Sequence, residues 1–271
     1  MAKALIVVPT KGRIDKVGKH TLSWLINAPF DWILLVEPQE ADLFRYFYKE
    51  NVISHLLVLP KNDMGLGYAL KFIKNYAITK GYDLVWKIDD DISAWGEWFN
   101  EEKRGTKARQ HSAATFIRLV NDGIAIFESN PSVGAISYPY RNELFKYGCT
   151  LDKRLQTAYA IRPELWEILE DRGNFEDFIA SIGVWKSGHS ILRYGHVGID
   201  GLDVGKTPGG FQCFERGNSS RITLEKLQVY WPDIVTRRVE NRQWKQEPNL
   251  GKVQKPEKRN LILPCCHVTF V

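Results

Sequence analysis

Three consecutive aspartates, Asp89, Asp90 and Asp91, follow the apolar run 84–88 directly. Carboxylates this close repel one another, so each needs solvent, a cationic side chain or a metal ion. A solvated turn or a helix N-cap explains one such residue easily and three less comfortably. Hard divalent ions such as Mg2+ and Mn2+ prefer carboxylate oxygens and often bridge them to substrate phosphates. Side chains alternate along extended backbone, so Asp89 and Asp91 share a face and Asp90 points away. The cluster therefore reads as a divalent metal site with Asp89 and Asp91 on one face.

A second candidate fails. Gly205-Lys206-Thr207 invites a phosphate-loop reading, but the glycine that such a loop needs five residues before Gly205 is Asp200. An ATPase is excluded on that spacing. Cys149, Cys213, Cys265 and Cys266 form no C-x-x-C pair and no disulfide framework, which suits reduced thiols in an intracellular compartment.

The elements that must position the aspartates alternate between strand and helix. Residues 4–8, 32–36, 56–59 and 84–88 are short apolar runs that read as buried parallel strands. Helical spacing runs over 15–26, 40–50 and 67–81 between them, and over 113–129, 163–170 and 177–186 beyond them. Residues 134–138 and 157–161 read as further strands, and 95–111 as a polar loop. Such alternation implies an α/β, mostly parallel sheet flanked by helices, with ligands gathered at the carboxyl ends of the strands. Four polar segments then lie along one sheet edge: 9–13, 37–40, 60–67 and the aspartates. We expect one domain over 1–231, in two parts that meet at about residue 110. A basic extension over 232–271, carrying Arg237, Arg238, Arg242 and Lys245, follows.

The bulk properties agree with a soluble globular protein. The chain has 271 residues, of which 44% are hydrophobic and 25% charged, so it can bury one sizeable core. No apolar stretch is long enough for a membrane span, and the N-terminal run is too short for a signal peptide, so a cytoplasmic protein is expected. The net charge of +5 is a mild bias toward nucleotides or nucleic acid.

The order of these motifs resembles a GT-A glycosyltransferase. Pro9-Thr10-Lys11-Gly12-Arg13 closes the first strand, an acidic Glu37 closes the second, and Asn62-Asp63-Met64-Gly65-Leu66-Gly67 opens a helix. A strand ending in Asp-x-Asp comes next. The resemblance implies a nucleoside-diphosphate sugar donor, UDP-sugar being favoured, with Mn2+ or Mg2+, and a nucleotide-sugar half over about 1–110 followed by an acceptor half over about 111–231. It implies that Pro9, Thr10 and Arg13 line the nucleotide pocket, that Glu37 sits near base or ribose, and that Asn62, Gly65 and Gly67 flank the nucleoside. Asp89 approaches ribose or sugar hydroxyls, with Asp90 among the donor-binding residues, and Asp91 ligates the metal. His196 loosely matches a late histidine that completes the metal shell in several such enzymes. Glu176 and Asp177 match the acidic motif that supplies the base in inverting members, with Asp177 the first choice. A helix N-cap is an equally good and compatible reading of Asp177.

Within that fold, Asn62–Lys71 together with Trp86-Lys87-Ile88-Asp89-Asp90-Asp91-Ile92 resembles the TET/JBP-associated glycosyltransferases of phages and base J biosynthesis. That resemblance implies a hydroxymethylated pyrimidine in DNA as acceptor, with a base flipped from the duplex to reach the sugar. A saccharide, lipid or protein acceptor shares every donor-side feature. A nucleotidyltransferase lacks its usual Gly-rich loop here, and a non-catalytic DNA-binding module predicts no turnover of sugar nucleotides. Oligomeric state and anomeric outcome are open.

Overall fold

The computed structural model describes residues 2–97, 109–110, 112–140, 149–169, 176–201, 229 and 231. The expected extension over 232–271, the Gly205-Lys206-Thr207 segment and Cys213, Cys265 and Cys266 lie outside the described residues.

The first four strands are β1 (Ala4–Pro9), β2 (Asp31–Val36), β3 (Leu56–Val58) and β4 (Leu84–Lys87). β1 lies between β2 and β4, and β3 flanks β2, all in parallel. β7 (Val133–Tyr138), β8 (Thr150–Leu151), β9 (Ala158–Ile161) and β10 (Ser190–Arg193) extend this into an eight-stranded sheet of order β3-β2-β1-β4-β9-β7-β10-β8. β9 runs antiparallel to both neighbours, and β10 runs parallel to β7. The carboxyl ends of β1, β2, β3, β4, β7 and β10 and the start of β9 therefore share one edge. β5 (Ile92–Glu97), β6 (Arg109–Gln110) and β11 (Val197–Gly201) form a separate three-stranded sheet.

Strand residues alternate between two apolar layers, as the pleat requires. Ile6, Val8, Leu34, Val36, Leu84 and Trp86 face one layer, and Leu5, Val7, Ile33, Leu35 and Val85 the other. The first layer is closed by α1 (Ile14–Lys19), α2 (Thr21–Leu25), α3 (Pro38–Phe47) and α6 (Ser112–Ser129) through Val17, Leu25, Phe44 and Phe116. The second is closed by α5 (Leu66–Thr79) and α7 (Glu176–Lys186) through Leu70, Ile73, Ala180 and Val184. A four-residue α4 (Glu50–Ile53) precedes β3. The result is the mixed α/β, mostly parallel, GT-A-like architecture expected from the motif order.

Four local expectations need correction. The helix expected over 15–26 is two helices, because His20 leaves helical geometry at φ −107° and ψ −91°. The helix expected over 40–50 starts earlier, with Pro38 as its first residue, where the missing N–H costs nothing, and ends at Phe47. The segment 163–170 holds only a 3-10 turn, Pro163–Leu165, after which Trp166 is fully buried against Tyr159. Residues 95–97 of the polar loop expected over 95–111 belong instead to the strand Ile92–Glu97, with the Trp95 indole buried among Trp24, Phe116 and Tyr138.

Candidate active site

The edge at the carboxyl ends of β1 and β4 carries a chain of ion pairs. Thr10, just beyond β1, donates its hydroxyl to Asp90 at 2.7 Å. Arg13 donates to Asp90 at 2.8 Å and to Asp91 at 3.0 Å. Asp90 is buried, so its side chain serves to anchor the loop after β1. The expected alternation does not hold here: residues 90 and 91 form a turn rather than extended backbone, so Asp90 does not face away from Asp91, and both meet the same Arg13 nitrogen. The Asp89 main chain is fixed as well, since its carbonyl accepts from Thr21 at 2.8 Å and Thr21 in turn accepts from the Ile92 amide.

The cluster carries more negative charge than its cations offset. Burial, then Asp89 and Asp90, push the Asp91 carboxyl up to about 6, and Arg13 only partly counters them. Burial likewise raises Asp90 against the pull of Thr10 and Arg13. The donor set of Asp91 and a half-exposed Asp89 is hard oxygen beside uncompensated charge, which fits Mg2+ or Mn2+. His196, in the turn between β10 and β11, packs edge-on against Tyr194. Among the described residues no three His, Cys, Asp or Glu side chains are grouped to hold a metal ion. His196 is thus not assembled with Asp89 and Asp91 into one shell.

A second cluster sits at the ends of β2 and β3. Glu37 is buried and accepts from Lys11 at 3.0 Å, from Gln39 at 2.7 Å and from the Asp63 amide at 2.9 Å. Lys11 also pairs with Asp63, and the two carboxylates keep its ammonium charged despite burial. Glu40 accepts from the Gly12 amide at 2.6 Å. Asn62 is exposed and accepts from the Gln39 amide at 3.0 Å, so its carbonyl is occupied at the start of α3. Gly65 precedes α5 at φ +86°, a conformation that a side chain would strain. Gly67 lies inside the first turn of that helix and is buried. Pro9 ends β1.

The start of α7 meets the same edge, with Glu176 3.6 Å from the Lys87 ammonium. α7 starts at Glu176, which places Asp177 in its first turn. Asp177 accepts from Arg154 and from the Phe178 amide, and the Arg154 guanidinium lies 4.4 Å over the Phe178 ring. Burial, followed by the charge of Glu176, pushes Asp177 up to about 7, with Arg154 pulling the other way. Tyr140, beyond β7, hydrogen-bonds Thr157 at 2.5 Å, and burial and then the neighbouring Asp89 and Asp91 raise its hydroxyl.

One residue escaped the sequence reading. Lys87 closes β4, is 2% exposed, and pairs with both Asp89 and Glu176. A lysine at an inward position of a buried strand is rare unless paired, and that signal was present in Leu84-Val85-Trp86-Lys87.

No curated protein matches the chain. Residues 1–349 of TarS from S. aureus are 14% identical with a TM-score of 0.47, over 73% of this chain and 59% of that one. The present chain therefore spans less than two thirds of TarS 1–349. Glucosyl-3-phosphoglycerate synthase from Mycobacterium tuberculosis, solved with Mg2+ and uridine diphosphate, is 12% identical with a TM-score of 0.49, over 87% of this chain and 83% of that one. The profile of one family, TET-Associated Glycosyltransferase, matches residues 4–209, which takes in the loop after β1, the aspartates, Lys87 and the first turn of α7. With that match spanning most of the chain, the protein belongs to the TET-associated glycosyltransferase family.

Proposed function

We propose that the protein is a metal-dependent glycosyltransferase that moves a sugar from a nucleoside-diphosphate sugar, UDP-sugar favoured, to the hydroxyl of a 5-hydroxymethylpyrimidine in DNA. The observation that carries the donor side is the excess negative charge at Asp89 and Asp91 beside the Arg13 guanidinium, at the carboxyl edge of a parallel sheet. The acceptor rests on family membership and on the net charge of +5, which suits a polyanionic partner.

In this reading Asp91 and Asp89 would hold Mn2+ or Mg2+, which when bound offsets charge on the leaving nucleoside diphosphate. Thr10 and Asp90 fix the buried Arg13 beside Asp91, where a guanidinium suits phosphate oxygens. The acceptor oxygen forms a bond to the anomeric carbon as the bond from that carbon to the diphosphate oxygen breaks. In the inverting case the hydroxyl proton passes to Asp177, whose elevated proton affinity suits a base working near neutrality. In the retaining case Asp177 orients the sugar. Cytoplasmic residence fits this chemistry, and no helix among the described residues is long and apolar enough to cross a membrane.

A thermal-shift panel of UDP-, GDP- and CDP-sugars with and without Mn2+ tests the donor side. A metal-dependent rise in melting temperature with UDP-sugars is expected. No shift with any sugar nucleotide would remove the donor site.

A further inference from the structure

Lys87 is a charged residue buried in the sheet, and its surroundings come from both halves of the site. Its register partners are Val7 on β1 and Tyr159 on β9, so its side chain leaves the sheet on the face covered by α7. From the donor half, Asp89 accepts from the ammonium at 2.5 Å. From the acceptor half, the Thr157 carbonyl accepts at 3.2 Å and Glu176 lies at 3.6 Å. The Tyr159 ring centroid is 5.8 Å away. A buried ammonium is costly unless its partners stay in place, so the cost of separating them resists relative motion of the groups it joins.

We propose that Lys87 is a positioning residue that ties donor-side Asp89 to Glu176 at the start of α7, and so sets where Asp177 stands relative to the donor. The proposal rests on the function given above. Lys87 touches no transferred atom in this scheme. It acts through the two carboxylates, and Arg154 holds Asp177 from the opposite side. A longer, wider guanidinium keeps the charge and retains part of the tie, whereas an apolar side chain of similar length keeps packing and loses it.

The test uses the full chain and compares wild type, Lys87→Met, Lys87→Arg, Glu176→Gln and the Lys87→Met/Glu176→Gln double variant. The probes are UDP-glucose, Mn2+ and a duplex containing 5-hydroxymethylcytosine. Lys87→Met is expected to lower kcat by about 100-fold while the donor KM moves by less than about threefold, the pattern of an interaction made in the transition state. Lys87→Arg is expected to recover at least about a tenth of the wild-type kcat. The losses of Lys87→Met and Glu176→Gln should combine less than multiplicatively, because each cuts the same tie. Full turnover in Lys87→Met, or strictly multiplicative losses, overturns the proposal. If Lys87→Met does not fold, Glu176→Gln decides by the same kcat and KM criterion. Should wild type neither bind nor turn over any UDP-sugar, the proposed function falls separately. The tie is then judged by amide exchange over 176–180, which should quicken in Glu176→Gln relative to β7; unchanged exchange overturns it.

Discussion

Asp91 and Asp90 differ by one position and do different work. Asp90 is buried on Thr10 and Arg13, so its carboxylate is spent on holding the loop after β1. Asp91 shares that arginine but its side chain is 18% exposed against 6% for Asp90, which makes it the one proposed to meet a cation. Asp91→Ala should therefore fold and weaken UDP binding in Mn2+ by at least about tenfold, the lower end for loss of a metal-site group. Calorimetry showing unchanged affinity would contradict the assignment. At Asp177, the rate should rise with pH through about 7 as the carboxylate ionises. Asp177→Asn should leave donor affinity intact, flatten that profile and cost about 100- to 10,000-fold in rate, the range for a general base. An undiminished rate would remove Asp177 from that role. The aspartates were legible in sequence because three adjacent charges after an apolar run demand a reason. Lys87 signalled only that a lysine in a buried strand needs partners, and those partners, Asp89 and Glu176, are brought together by the fold.

At the scale of elements, the packing of α7 decides how its first turn meets β4. Gly183 lets α7 lie directly on the segment after the 3-10 turn. A Cβ there would come within 2.4 Å of the Glu167 Cβ, 2.9 Å of the Leu165 carbonyl oxygen and 3.0 Å of the Glu167 amide nitrogen. Two of these three contacts are backbone and cannot swing aside. Gly183→Ala should destabilise the protein by about 1–3 kcal/mol, the cost of overpacking, read as a lower melting temperature and denaturation midpoint. Wild-type stability would show that the helix has room to shift. The core strands of the donor half were legible because each is an apolar run closed by a polar turn. β5, β8, β10 and β11 were not. β5 follows the aspartates and borders a charged segment, while β8 and β10 are short and draw their register from partners distant in sequence. The expected helix over 163–170 stops at Leu165, where Trp166 turns to extended backbone and is buried edge-on against Tyr159.

For the whole molecule, the carboxyl edge concentrates acidic groups that prefer to stay protonated in the folded state. Asp91 is raised to about 6 and Asp177 to about 7, both from 3.8. Between about pH 4 and 7 the folded chain binds more protons than the unfolded one, so the slope of stability against pH is negative there. In metal-free buffer the melting temperature should fall from pH 5 to pH 8, and Asp177→Asn should lessen that fall. A flat or rising curve, the same in both proteins, would contradict the burial of these carboxylates. The parallel run of β1 to β4 and the placing of their polar ends on one edge followed from the alternation of strand and helix, whereas the strand order did not. The acceptor does not follow from topology, because saccharide and DNA acceptors would meet the same donor edge. The most direct measurement is therefore the intact mass of a 5-hydroxymethylcytosine duplex after incubation with the protein, Mn2+ and a panel of UDP-sugars. A gain of one sugar residue on that duplex, absent from an unmodified duplex and lost in Asp91→Ala, is the predicted result. Unchanged DNA beside sugar transfer to a simple saccharide would contradict the acceptor, and no consumption of any sugar nucleotide would contradict glycosyl transfer itself.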